Sequence, residues 1–267
     1  MRLLNVVFLV SFLCLSFRGA VFAESTPPPP EAEKLLSKEL TAKDAAGLHA
    51  LRALEFEKRK AYEQAISEYN QALELDPDNA DICSNLATLY VDLNKLAEAE
   101  KLFKKAIRLA PETFFYHVNL ANLYYHRSEY DAAIKEYRIA LDLNPESAVT
   151  NSNLGDAYLK KSHFNLALRH IQKAIALEPD FAIAHSNLGG YYYAVGEKDK
   201  ARQSFLKALE LNSELSAAYE GLGKLEIDEN RPKDALKYFN KSLESATDVY
   251  EVEQAKTGIA EAEVLTK

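Results

Sequence analysis

The strongest constraint on what this chain can fold into is a sequence period of 34 residues. Each copy holds two runs with helical spacing of apolar residues, such as 153–158 and 166–177, joined by a short polar turn. This pattern predicts a pair of antiparallel helices. A fixed period of this length predicts an all-α solenoid in which every hairpin stacks on its neighbours. A proline ends most copies, at Pro77, Pro111, Pro145 and Pro179.

Six copies fit the sequence, at 46–79, 80–113, 114–147, 148–181, 182–215 and 216–249, and we number the positions of each copy from 1 to 34. Position 8 is always small, because two helices cross closely there. Position 24 is always large and apolar, because its side chain fills the gap between neighbouring hairpins. Leucine at Ala133 or Ala167, both at position 20, is predicted to overpack the hairpin. Glu136 is interpreted as an outer-face residue that tolerates leucine. Position 8 holds Ala53, Ala87, Ala121, Gly155, Gly189 and Gly223, and position 24 holds Tyr69, Phe103, Tyr137, Ile171, Phe205 and Phe239.

This pattern resembles the tetratricopeptide repeat (TPR) family, whose repeats carry a small residue at position 8, Ala at 20, an aromatic at 24, Ala at 27 and Pro at 32. The resemblance covers residues 46–249. It implies a right-handed superhelical solenoid of helix-turn-helix hairpins. It also implies that the first helices of the hairpins line a concave groove that binds a protein or peptide.

Four asparagines stand in register at position 6 of consecutive repeats, a set that we call the asparagine ladder. An asparagine amide both donates and accepts hydrogen bonds, so a ladder along the groove would hold an extended chain by its backbone. The arrangement is similar to that in the repeat domain of O-linked N-acetylglucosamine transferases, whose catalytic domain is absent here. The alternative is that each amide bridges neighbouring helices or reflects the shared ancestry of the repeats. The ladder residues are Asn85, Asn119, Asn153 and Asn187.

Further groove positions complete the predicted peptide-binding site. Related domains that bind chaperone C-terminal carboxylates carry Lys and Arg at positions 2, 5 and 6, where this chain has residues such as Ile183, Ser152 and Asn187, so that partner class is disfavoured. Apolar surface is expected from Phe115, Val149 and Ile183. The other predicted site residues are Asn122, Tyr125, Asp156 and Tyr193.

Both ends of the chain lie outside the repeats. Residues 1–23 read as a secretory signal peptide cleaved before Glu24, because the apolar run 3–17 is short for a membrane span. The alternative is an uncleaved anchor using residues 3–23. Residues 24–45 are predicted to be a Pro-rich spacer followed by a short helix. Residues 250–267 are predicted to form a capping helix, or alternatively a docking helix, whose apolar stripe includes Val252, Ile259 and Val264.

Charge and motifs narrow the function class. Without residues 1–23, which hold two basic and no acidic residues, the net charge falls from −8 to −10, which argues against nucleic acid or an anionic membrane as the main partner. No phosphate loop, nucleophile elbow or paired-cysteine motif is visible, so we expect no catalytic residue, metal or cofactor. We therefore expect a non-enzymatic scaffold, periplasmic or secreted, within an envelope or secretion assembly. A self-assembling structural subunit and an accessory domain of an enzyme complex remain alternatives, and the oligomeric state stays open.

Overall fold

A computed structural model of the chain describes residues 41–247 and 249–266, and all regular secondary structure in these residues is α-helical. The signal peptide predicted at 1–23 and the spacer up to residue 40 lie outside the described residues. No helix in the described part is both long and apolar enough to span a bilayer. The helices are α1 (Ala42–Lys58), α2 (Tyr62–Leu75), α3 (Ala80–Asp92), α4 (Leu96–Leu109), α5 (Phe114–His126), α6 (Tyr130–Leu143), α7 (Ala148–Lys160), α8 (Phe164–Leu177), α9 (Ala182–Ala194), α10 (Lys198–Leu211), α11 (Ser216–Asp228), α12 (Pro232–Ser245) and α13 (Val249–Leu265).

Helices α1 to α12 form six hairpins, and each hairpin packs against the next. The contact inside a hairpin joins position 8 to position 24, as the sequence pattern predicts. A Cβ added at Gly155 would lie 2.6 Å from Cγ1 of Ile171, and Gly223 meets the ring of Phe239 equally closely. The position-20 alanines, including Ala133 and Ala167, are fully buried. The predicted all-α solenoid of helical hairpins is therefore confirmed.

The interpretation of Glu136 as an outer-face residue was wrong. Its side chain is only 15% exposed and hydrogen-bonds Nδ1 of His117 at 2.7 Å. The same link between positions 4 and 23 recurs as His49 with Glu68 at 2.7 Å and as Asn151 with His170 at 3.1 Å. In three of the six hairpins, position 23 therefore ties the two helices together through a polar contact that the apolar pattern does not reveal.

The turn inside every hairpin uses a left-handed residue at position 15. Gly196 has a φ of +82°, and the other five residues have φ between 56° and 59° although they carry side chains. The turn closes with short backbone hydrogen bonds, for example from the Lys95 N–H to the Tyr90 carbonyl at 2.7 Å. The constant turn keeps all six hairpins alike. The five other residues are Lys60, Asn94, Ser128, Ser162 and Asn230.

Buried charge links the last two hairpins. Glu226 on α11 is 3% exposed and accepts hydrogen bonds from Arg202 on α10 and from Arg231 at the start of α12. Burial alone would raise the pKa of Glu226, but the hydrogen bonds from Arg231 and Arg202 outweigh it and hold the pKa below its usual range. The carboxylate therefore stays ionised and joins both hairpins.

The C-terminal helix α13 packs against α12 and α11. Its buried face consists of small residues, Ala255, Gly258 and Ala262, with Ile259 half-buried beside them. Gly258 allows α13 to approach the ring of Phe239 closely. The predicted apolar stripe was wrong at Val264, which is 68% exposed, because close helix packing favours the small residues over the valine.

Candidate functional site

The first helices of hairpins two to five carry the asparagine ladder on α3, α5, α7 and α9. Asn85 is exposed, whereas Asn119, Asn153 and Asn187 are half-buried. Each ladder residue stands four positions after position 2 of its helix, so these two positions share one helix face. The ladder therefore runs from one first helix to the next across the solenoid.

The amide nitrogens of three ladder residues are already bound inside the protein. Nδ2 of Asn119 donates to Oγ of Ser84 at 3.2 Å, and Nδ2 of Asn187 donates to Oγ of Ser152 at 3.0 Å and to the Ser152 carbonyl at 3.2 Å. Both serines sit at position 5 of the preceding repeat. The bridging of neighbouring helices, which the sequence left open as an alternative, is therefore present at Asn119 and Asn187.

Asn153 reaches a different acceptor because of its neighbour. Position 5 of the preceding repeat is Val118, which offers no hydroxyl, and Nδ2 of Asn153 donates instead to Oδ1 of Asn122 at 3.2 Å. The ladder ends after α9 because position 6 of α11 is Gly221, where any Cβ would collide with the ring of Phe205.

The amide oxygens of the ladder face outward. Oδ1 of Asn119, Asn153 and Asn187 accepts no hydrogen bond from the residues that the structure describes. Every buried side-chain nitrogen or oxygen in that part of the chain has a partner, so these three oxygens reach solvent. The ladder thus presents a row of acceptors whose donors are turned inward.

The remaining predicted site residues form internal contacts. Oδ1 of Asn122 accepts from the Tyr137 hydroxyl at 2.5 Å and from Asn153. The Tyr125 hydroxyl donates to Asp156, and burial together with that carboxylate raises the pKa of Tyr125. These contacts tie α5 to α7, and Asn122 connects them to the ladder through Asn153.

Tyr250, at the start of α13, reaches across to the third repeat. Its ring makes an edge contact with His126 at the end of α5, with 6.4 Å between ring centroids. Burial raises the pKa of Tyr250, whereas the nearby Lys160 acts in the opposite direction. Burial alone would lower the pKa of Lys160, but Asp156, Tyr250, Tyr130 and Glu220 together outweigh it and raise that pKa. The side chain of Tyr250 therefore lies near the part of the groove that Tyr125 and Asp156 occupy.

Tyr193 lies under the same helix farther along. Burial is the main cause that raises its pKa, with Asp228 of α11 second and Glu261 of α13 also contributing. It packs against the cluster around Phe205. Tyr193 is therefore partly buried in the packing between the fifth and sixth repeats.

Three exposed apolar side chains stand at position 2 of consecutive first helices, and we call them the apolar row. Phe115 is 60% exposed, Val149 is 45% exposed and Ile183 is 42% exposed. The ring of Phe115 contacts that of Phe114 in a tilted arrangement, with 3.8 Å between centroids. The row lies beside the ladder, away from the contacts made by Tyr250.

Two parts of the site escaped prediction from the sequence. Ser84 and Ser152 repeat at position 5, so their period was visible, although their role as acceptors depends on which helix they face. Tyr250 lies outside the repeats and no period points to His126. Within residues 41–247 and 249–266, no group of three or more His, Cys, Asp or Glu side chains is placed to hold a metal ion.

Comparisons with known families agree with this architecture. Models described as tetratricopeptide repeats match residues 58–123, 152–216 and 191–250, and one described as a TPR repeat matches 121–162. The chain therefore belongs to the tetratricopeptide repeat family. Its fold is that of a general protein-interaction scaffold.

Solved structures with the same fold include three further TPR proteins. MamA is 24% identical, with a TM-score of 0.54 over 64% of this chain and 93% of its own. PilW, a widely conserved type IV pilus biogenesis factor, is 21% identical, with a TM-score of 0.65 over 74% and 92%. TTC0263, a thermophilic TPR protein of Thermus thermophilus, is 22% identical, with a TM-score of 0.60 over 68% and 100%. At these identities the likeness concerns the fold alone. No curated protein matched the sequence.

Proposed function

We propose that this protein is a non-enzymatic scaffold that holds an extended segment of a partner protein along the asparagine ladder. The observation that carries the proposal is the row of outward-facing Oδ1 atoms on Asn119, Asn153 and Asn187. Acceptors require donors, and the main-chain N–H groups of an extended chain supply donors at regular intervals. Because each Nδ2 is fixed on the preceding repeat, the oxygens are oriented before any ligand arrives, which lowers the entropy cost of binding.

The proposed place of action is outside the cytoplasm, within an envelope or secretion assembly. The apolar run that precedes Glu24 supports export. One protein of the same fold, PilW, is a pilus biogenesis factor, which is consistent with such a setting. N-terminal sequencing of the native protein tests the export step, with a chain beginning at Glu24 as the expected result. Recovery of a chain with an intact Met1 in the membrane fraction would show that the N-terminal segment is an uncleaved anchor.

The binding proposal is tested by capture of partners from the native envelope fraction, with quantification of the captured proteins by mass spectrometry. The binding variant is Asn119→Ala/Asn187→Ala, which removes two Oδ1 acceptors together with three inter-repeat hydrogen bonds. The control is Ser84→Ala/Ser152→Ala, which removes the two bonds to the serine hydroxyls, keeps the bond from Asn187 to the Ser152 carbonyl and leaves both Oδ1 atoms in place.

We expect both variants to melt at lowered temperatures, the asparagine variant slightly below the serine variant, because it loses one more hydrogen bond and each costs about 0.5–1.5 kcal/mol. Only the asparagine variant should lose partner capture, by about tenfold or more, since 1.4 kcal/mol corresponds to about tenfold. Equal partner capture by the two variants would show that the ladder serves the stacking of repeats and no ligand. A catalytic protein recovered in fixed ratio with the wild type would favour the accessory-domain alternative instead.

A further inference from the structure

The apolar row and the asparagine ladder are joined in register over three repeats. Each apolar residue precedes a ladder residue by four positions, which places the two side chains one helical turn apart on the same face. Each of these repeats therefore offers a hydrogen-bond acceptor and an exposed apolar contact as one unit. The pairs are Phe115 with Asn119, Val149 with Asn153 and Ile183 with Asn187.

The spacing between these units selects the conformation of what binds them. Packed helices lie about 8–10 Å apart, and hydrogen bonds such as that from Asn153 to Asn122 hold neighbouring first helices together. A polyproline II chain rises about 3.1 Å per residue with three residues per turn, so its side chains return to one face about every 9.3 Å. The side chains of a β-strand return to one face about every 6.6 Å, which does not match the spacing of about 8–10 Å between packed helices.

A helical ligand is disfavoured by its hydrogen bonds. At about 1.5 Å per residue, a helix would match the repeat spacing only with apolar residues six or seven apart, and its N–H groups are already bonded internally. A polyproline II chain has no internal hydrogen bonds, so its N–H groups remain available to the outward-facing Oδ1 atoms.

We propose that the groove binds a partner segment in polyproline II conformation with apolar side chains at every third residue, i, i+3 and i+6. This inference rests on the proposed function and specifies its ligand. The apolar side chains meet Phe115, Val149 and Ile183, while N–H groups of residues between them donate to the ladder. The residues that donate cannot be proline, because proline has no N–H.

A basic residue extends the motif at one end. Position 2 of α3 is Asp81, which is exposed and uses one oxygen to accept the Tyr116 hydroxyl at 2.6 Å. Its carboxylate continues the apolar row by one repeat, next to the ladder residue Asn85. The ligand is therefore expected to carry a Lys or Arg three positions beyond the apolar residue that meets Phe115. A basic ligand residue also suits the net negative charge of this protein.

The test uses a phage-displayed library of random dodecapeptides selected on the immobilised full-length protein. We expect enriched peptides with apolar residues three positions apart and a basic residue at one end of the series. Apolar residues six or seven apart would indicate a helical ligand and overturn the proposal. Absence of enrichment over empty beads would overturn it as well.

The enriched peptide is then synthesised and its affinity is measured by fluorescence anisotropy. The variant Phe115→Ala/Val149→Ala/Ile183→Ala should bind the peptide about tenfold or more weakly. The control Leu75→Ala/Leu109→Ala/Leu143→Ala changes three leucines that are 36–39% exposed and also recur every 34 residues, at position 30. It should leave the affinity unchanged. Equal affinities of both variants would show that the row is not the contact surface.

The asparagine variant separates this inference from the proposed function. If Asn119→Ala/Asn187→Ala weakens the peptide and the row variant does not, the ladder binds main chain and the motif is wrong. If native partners are captured through the ladder but the selected peptides show no apolar residues three positions apart, the proposed motif is wrong and the proposed function stands. If neither set of variants changes binding, both proposals fail.

Discussion

Two adjacent glycines in α9 should respond in opposite directions to the same substitution. Around Gly190, the nearest atom to an added Cβ is Cδ1 of Leu159 at 3.8 Å, which is an ordinary van der Waals contact. Around Gly189, an added Cβ would lie 2.6 Å from the ring of Phe205. The same ring also lies against Gly221 and is only 4% exposed, so it has little space into which to withdraw.

The expected magnitudes follow from these contacts. Alanine in place of a helical glycine stabilises by about 0.5–1 kcal/mol, because it reduces the backbone entropy lost on folding. Gly190→Ala should gain this full amount. Gly189→Ala gains the same but also overpacks the hairpin, which costs about 1–3 kcal/mol. Its net effect should be a loss of about 1 kcal/mol.

Thermal unfolding followed by circular dichroism measures both changes. A difference of 1 kcal/mol shifts the melting temperature of a chain of this size by about 2–4 °C. We expect Gly190→Ala to melt above the wild type and Gly189→Ala to melt below it. If Gly189→Ala melted at or above the wild type, the packing of position 8 against position 24 would not control the hairpins, and the register of the repeats would be wrong.

The remaining predictions concern the buried charge and the C-terminal helix. Because the pKa of Glu226 is lower in the folded chain than its unfolded value of about 4.3, its contribution is present above that pH and disappears as the pH falls through the folded pKa. Glu226→Gln should therefore lower the melting temperature at pH 7 and flatten its decline in acid, and an unchanged acid profile would contradict the role given to Arg202 and Arg231. Tyr250→Ala removes the edge contact with His126, worth about 0.5–1.5 kcal/mol, and should speed amide hydrogen exchange of residues 253–256, whose N–H groups bond the carbonyls of the first turn of α13, up to about tenfold. Unchanged exchange there, measured by mass spectrometry, would show that the contact does not hold the helix.

The hairpins were predictable because their packing is local and repeated. Position 8 meets position 24 within one repeat, so small and large residues had to recur together, as Gly155 and Ile171 do. The polar link at positions 4 and 23 is equally local, yet the apolar pattern concealed it. Glu136 was misassigned because helix periodicity separates inner from outer positions without identifying partners such as His117.

The register of the ladder was predictable, whereas the orientation of its amides was not. Orientation depends on the side chain at position 5 of the preceding repeat, where Ser84 and Ser152 accept a hydrogen bond and Val118 cannot. The contact between Tyr250 and His126 was also unpredictable, because these residues are far apart in the chain and belong to no common period. Contacts between non-equivalent repeat positions can be identified only from the three-dimensional arrangement of the helices.

The central claim is that the ladder oxygens accept hydrogen bonds from main-chain N–H groups of the ligand. The most direct test replaces individual amides of the bound peptide with esters, which removes one N–H at a time and keeps the side chains. Affinities are measured for amide and ester peptides with the wild type and with Asn119→Ala, to form a double-mutant cycle. We predict one ester position that weakens binding to the wild type but not to Asn119→Ala, with a coupling energy of about 0.5–1.5 kcal/mol. Fully additive effects at every position of the peptide would contradict the claim.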